Sequence, residues 1–406
     1  MLIALIICGT AYDVIIIRWP QWSKEAEDKE NKELPVKNRN DYQLSKLLSA
    51  KSSAGTLTSV NGIRVISMTW VILGHTYAFG LAYTTNSVTF LGTMLKRWSF
   101  MAIVNAEVAV DTFFALSGLL VAYLTLKEMQ KKQGKMNWAM FYFHRFWRLT
   151  PCYMLILGVY HCLSAYWFDG PQWQQQGMDY ENCHKNWWTN LLYINNLVNF
   201  EEGCMNWAWY LANDMHIFGL AVCGAALTIL TIIPFIISYA YDLPPSLFGG
   251  VDPPSNDFSY FTKYYVKPYC RMGPYIVGIV TGYILYKTKC KVKLNTFLNL
   301  GGWLLATGLA LVVLYGLHEP LNGSPMSVAV SALYNATHKT IWGACICWVI
   351  FACSTNNGGY VNTFLSWEAY IPLGRLTYCA YLVHPILMYT YLDGLRSPIY
   401  FWDLEV

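Results

Sequence analysis

Apolar residues in this chain come in blocks separated by charged stretches. The blocks fall at about 1–17, 61–83, 103–126, 141–168, 272–286, 297–317, 339–353 and 371–391, with a longer one at 207–241. Blocks of about 17–25 apolar residues are long enough to cross a bilayer as helices. A large soluble all-α protein with buried helices is the alternative, but too many of these blocks are apolar all round. The long block is too long for one crossing, and the charge of the flanking loops requires two, with a turn at Cys223-Gly224. The pattern therefore predicts an all-α, multi-pass transmembrane helix bundle of about ten helices.

The loops set the orientation, because Lys and Arg collect on the cytoplasmic side. Residues 18–60 carry eight Lys/Arg, six acids and few apolar side chains, which predicts a cytoplasmic linker. "KEMQKKQGK" and "KTKCKVK" belong on that side too. The loop 169–206 has one lysine and five acids and belongs on the other. The opening "MLIALIICGTAYDVIII" lacks the basic start and small-residue cleavage site of a signal peptide, so it reads as a first transmembrane helix at 1–17. Both termini are expected outside or in the lumen, in the endoplasmic reticulum or the plasma membrane.

Composition agrees. Of 406 residues, 55% are hydrophobic and 13% charged, against about 25% charged in an ordinary soluble domain. Mean hydropathy is +0.29. The net charge of +4 is scattered, and no basic stripe interleaved with aromatics implies nucleic acid. Most of the twelve cysteines fall inside spans, where a thiol serves as a small apolar residue. Cys183 and Cys204 flank one non-cytoplasmic loop and are expected to pair. Cys345 and Cys347 have no metal-like partners nearby, and no metal site is expected. Asn335-Ala-Thr337 is a glycosylation sequon in an expected lumenal loop.

Ionisable groups inside spans are costly and are functional candidates. In "RVISMTWVILGH", Arg64 and His75 are eleven residues apart. That is three helical turns plus about 20°, so they share a face roughly 16 Å apart along the axis. The guanidinium can hold an anion at the cytoplasmic surface and the imidazole can act as a base deeper in. A snorkelling arginine and a hydrogen-bonded bundle histidine explain the pair equally well. In "EVAVDTFFALSGLL", Glu107 and Asp111 share a face. Asp111 could orient a histidine, while Ser117-Gly118 reads as close helix packing. His144, Arg145 and Arg148 would form a cationic collar that suits either a ligand or lipid headgroups. Asp214 is a stronger candidate than His216. Arg375 and His384 fit packing or capping as well as function.

Six segments resemble the acyltransferase 3 family, and within it the animal nose resistant to fluoxetine branch: "NGIRVISMTWVILGHTY", "VDTFFALSGLLVAYL", "FYFHRFWRLTPCYMLIL", "CMNWAWYLANDMHIFGL", "YCRMGPYIVGIVTGYIL" and "LGRLTYCAYLVHP". They run in order through residues 60–390. The resemblance implies a membrane acyltransferase domain over 61–392, with Arg64 and His75 as the hallmark pair. It also matches Ser117-Gly118, Arg145, Arg148 and Asp214 to family positions. Such proteins usually begin with a cysteine-bearing lumenal domain and continue past the last His-Pro span, so 393–406 reads as a truncated C-terminal end.

The expected chemistry is transfer of an acyl group from a cytoplasmic donor, acyl-CoA as co-substrate, to a hydroxyl-bearing lipid or glycan. Arg64, Arg145 and Arg148 would bind the donor; His75, Asp111 and Asp214 would be catalytic; no bound cofactor is expected. A histidine with aspartate at the fifth position after it is excluded at His75, because residue 80 is Gly. The competing class is a non-enzymatic carrier for lipids or amphipathic drugs, whose substrate path the same buried charges would line.

Overall fold

The computed structural model describes residues 57–167, 169–222, 229–247 and 260–401. The span expected at 1–17, nearly all of the linker at 18–60 and the turn at Cys223-Gly224 lie outside the described residues. Twelve helices of seven or more residues organise what is described: α1 Ser59–Ala82, α2 Ser87–Met94, α3 Val108–Lys131, α4 Trp138–Leu163, α5 Tyr180–Leu191, α6 Trp209–Val222, α7 Ile229–Ala240, α8 Met272–Thr288, α9 Thr296–Tyr315, α10 Val328–Ser354, α11 Gly359–Leu365 and α12 Tyr370–Asp393. No strand occurs among the described residues; an isolated parallel bridge joins Thr84 to Ile399. Five helices, α1, α3, α4, α9 and α10, are long and apolar enough to cross a membrane. The protein is an all-α, multi-pass integral membrane protein.

The bundle has two distinguishable ends. One carries Lys127, Lys131 and Lys132 at the end of α3, Lys287 in the last turn of α8, and Lys289, Lys291 and Lys293 after it. The other carries the 169–206 loop, which contains α5 and is stapled by a disulfide between Cys183 and Cys204. Local chemistry fixes where helices start. Asn137 caps α4 by accepting from Met140 N (3.1 Å), and Asn295 caps α9 by accepting from Phe297 N (3.4 Å).

α3 is the most enclosed of the five long helices and α9 the most peripheral. Leu298, Leu304, Leu305 and Val312 of α9 are exposed, as suits a lipid-facing surface. The most extensive pairing is α3 with α8. It depends on small residues: a Cβ on Gly118 would collide with the Tyr275 carbonyl oxygen, and one on Gly278 with the Ala115 carbonyl oxygen.

One boundary differs from expectation for a physical reason. α10 starts at Val328, eleven residues before the expected 339. Its first three turns include Asn335, His338 and Lys339, which lower the hydropathy yet are buried against other helices. Asn335 is therefore not a loop residue. It is 1% exposed, and its Nδ2 donates to Ser238 Oγ (2.8 Å) and to the Pro244 carbonyl (3.0 Å). The expectation that it is glycosylated is corrected: a side chain packed this way presents no amide for modification.

Candidate active site

α1 and α12 pack together and bring two histidines into contact. His75 Nδ1 lies 2.8 Å from His384 Nε2, with the rings nearly parallel. His384 Nδ1 lies 3.0 Å from the Ala380 carbonyl oxygen. That oxygen can only accept, so Nδ1 of His384 carries the hydrogen and its Nε2 accepts. His75 must then donate through Nδ1, which leaves its Nε2 with a free lone pair. His75 also stacks on Phe79, with centroids 4.9 Å apart. α12 is held in place by the Tyr378 hydroxyl donating to the Leu149 carbonyl (2.9 Å) and by Tyr381 donating to the Trp207 carbonyl.

Arg64, the other half of the pair, is half-buried near the start of α1. Its charged neighbour is Arg148, itself exposed. Neither forms an ion pair among the described residues. Two cations held near one another without a carboxylate form a ready anion site.

Asp111 does not orient His75. Both its carboxylate and the Arg271 guanidinium are fully buried, and Arg271 Nη1 donates to Asp111 Oδ2 at 2.7 Å. Arg271 further donates through Nε to the Tyr265 carbonyl (3.0 Å) and lies over the Tyr265 ring. The distance in sequence, 160 residues, hid this partner. The orienting role expected of Asp111 is filled by His384.

Asp214 is likewise committed. Arg145 Nη2 donates to its Oδ2, and Ser117 Oγ donates to its Oδ1 at 2.7 Å. Arg145 also reaches Ser117 Oγ (3.2 Å) and covers the Phe218 ring. Arg145 is therefore charge-compensated, unlike Arg64 and Arg148, and Ser117 is a hydrogen-bonding residue as well as a packing one. His216 makes no contact with this triad among the described residues.

Arg64, His75, Ser117, Arg145, Arg148 and Asp214 line one cavity of about 1520 Å³, and His384, Asp111 and Arg271 are not part of its wall. Arg64, Arg148 and Arg375 line it toward the lysine-bearing end, and His75 lines it further in. Phe200, Glu201 and Asn206 line it toward the disulfide end. Drug-sized ligands fill roughly 300–1,000 Å³, so this space accommodates a long chain together with a headgroup. No group of three or more His, Cys, Asp or Glu among the described residues could hold a metal ion.

At the disulfide end, Asp179 precedes α5 and accepts from the Tyr160 hydroxyl (2.9 Å). Burial pushes its carboxyl above the usual range, the Tyr160 hydrogen bond opposes this, and nearby Asp393 adds to it.

The acyltransferase domain that defines acyltransferase 3 proteins matches residues 57–404. The chain belongs to the acyltransferase 3 family. Among curated relatives, the chain is similar to "Nose resistant to fluoxetine protein 6" of Caenorhabditis elegans, 34% identical over 446 aligned residues that cover 98% of this chain and 53% of that protein. It is also similar to "Regulator of hypoxia-inducible factor 1" of the same organism, 25% identical, covering 88% of this chain and 76% of that one. The chain thus spans about half the length of the first of these acyltransferase 3 relatives. No solved structure matches it.

Proposed function

We propose that the protein transfers an acyl group from acyl-CoA, bound at the arginine-lined mouth, to a hydroxyl-bearing lipid or glycan, with His75 as general base. The observation that carries this reading is the His75–His384–Ala380 relay, which leaves the Nε2 of His75 as an acceptor on the cavity wall. Arg64 and Arg148 hold the donor's phosphates, and their lack of carboxylate partners leaves that charge available. The acceptor oxygen attacks the thioester carbonyl as His75 Nε2 takes its proton. The C–S bond then breaks, and the same proton passes to the departing thiolate. Arg145 and Asp214, tied to each other and to Ser117, position α3, α4 and α6 around the cavity.

The test uses membranes containing the chain or His75→Ala at matched folded levels, labelled acyl-CoA, and lipid, glycan and protein fractions as possible destinations. Label that depends on His75 supports the reading; an active His75→Ala chain rules out the general base. A general base contributes about 10²–10⁴-fold, so the loss is large enough to read. The second reading is a carrier. It is favoured by a cavity whose lining reaches toward both ends of the bundle, and it predicts movement of unmodified lipid that is indifferent to His75→Ala.

A further inference from the structure

One carboxylate on the cavity wall has no role in the steps above. Glu107 immediately precedes α3, is 9% exposed and lines the cavity. Its Oε2 is buried and has no hydrogen-bond partner among the described residues. It enters at the level of His75: Gly74 abuts Ala106 so closely that a Cβ on the glycine would lie 2.7 Å from the alanine Cβ. The next residue of each segment, His75 and Glu107, lines the same cavity. A buried acceptor left without a donor costs about 1–3 kcal/mol, and more when charged. A side chain kept in that condition at a cavity wall is poised for a donor that arrives with a ligand.

The surrounding charge decides what kind of ligand. Lys339 and Arg271 are the favourable electrostatic neighbours of Glu107, and Asp111 is the unfavourable one. Counted as fully ionised, these two acids and two bases sum to zero formal charge. Arg271 is committed to Asp111, and Lys339 lies 3.8 Å from the Tyr264 ring centre, 2% exposed and off the cavity wall. A cationic ligand on Glu107 would add an uncompensated charge to a buried site, and an anionic one would face a carboxylate. A neutral hydroxyl satisfies the oxygen and leaves the balance unchanged.

We propose that Glu107 is the specificity-determining residue for the acceptor: it accepts a hydrogen bond from a second hydroxyl adjacent to the one delivered to His75, so that the site selects vicinal diols over isolated alcohols. This rests on the acyl-transfer reading above, and Glu107 takes no part in the proton transfer.

The experiment uses the full chain in lipid nanodiscs with labelled octanoyl-CoA and two soluble probes, 1,2-hexanediol and 1-hexanol. The wild type is expected to acylate the diol with kcat/KM at least about tenfold above the alcohol, because a site built to bond a hydroxyl rejects the analogue that lacks it. Glu107→Leu is expected to bring the diol down to the alcohol's level and leave the alcohol within about threefold of wild type. Glu107→Asp keeps the charge but withdraws the oxygen by one methylene; it is expected to lose most of the preference and serves if the leucine variant does not fold. Equal use of both probes by the wild type, or a preference that survives both variants, overturns the proposal. If no acyl product forms, the acyl-transfer reading fails by itself, and equilibrium binding of the same probes still decides the role of Glu107. Tenfold tighter diol binding that Glu107→Leu abolishes supports it; equal binding overturns it.

Discussion

Residue by residue, polar groups in this bundle divide into those that are neutralised and those that are not. Asp111 with Arg271 and Asp214 with Arg145 are compensated pairs, whereas Arg64 and Arg148 are left with their charge. Removing one partner of a buried pair leaves the other charge unpaired, at a cost of about 3–5 kcal/mol. Asp111→Asn is therefore expected to lower the unfolding free energy by that order in detergent. The double replacement Asp111→Leu with Arg271→Met is expected to recover most of it, as read by thermal unfolding. For Arg64 the outcome is different: in the proposed mechanism it holds the donor away from the reacting atoms, so Arg64→Ala is expected to raise KM for acyl-CoA about tenfold or more with a smaller change in kcat. His384→Ala frees the His75 ring and is expected to lower kcat by about 10–10²-fold, less than the loss in His75→Ala. The shared face of Arg64 and His75 was legible because both lie on one helix, where spacing alone fixes geometry. The partners of Asp111, Asp214 and His75 were not. They lie 160, 69 and 309 residues away in sequence, and no local pattern reports a contact made by folding.

Among elements, hydropathy located α1, α3, α4, α9 and α12 to within a few residues, and missed the start of α10 because that helix buries polar side chains. It also left α5 unseen, since a short amphipathic helix in a loop has too few apolar residues to form a block. The disulfide that fastens this loop followed from side-of-membrane reasoning and is present. Closing a loop of about 20 residues is worth roughly 3 kcal/mol in the chain-entropy account. Cys183→Ser with Cys204→Ser is expected to loosen residues 180–206, measured as faster hydrogen exchange there with little change in α3. The same loop has a pH dependence of known sign. Because burial raises the Asp179 carboxyl in the folded state, its contribution favours folding below the unfolded carboxylate range, near 3.9. That contribution is lost as pH rises through the raised value. Asp179→Asn keeps an oxygen for Tyr160 and cannot ionise. The difference in loop stability between wild type and this variant is expected to grow from pH 4 to pH 7, with the variant the more stable at the upper end.

For the whole molecule, the cavity joins a mouth where Arg64 and Arg148 make no ion pair among the described residues to a region lined by aromatic rings, carboxylates and amides. One side suits a polyanionic donor and the other a neutral, hydroxyl-rich acceptor. Reconstituted in vesicles with the lysine-bearing end outward, the protein is expected to use acyl-CoA added outside and not acyl-CoA sealed inside, which a sidedness assay with labelled donor checks. The family, the helical class and the membrane setting could all be reached from ordered motifs and hydropathy. The cavity could not, because an enclosed space belongs to helices far apart in the chain.

The contact between His75 and His384 has a consequence in time. The two rings are separated by 309 residues, and a ribosome adding about 5–20 residues per second needs roughly 15–60 s to traverse that length. Throughout that interval the partner that fixes the tautomer of His75 has not been made. In the proposed mechanism the oriented form of the base is thus assembled only when the last described helix arrives, after the rest of the cavity wall has been made.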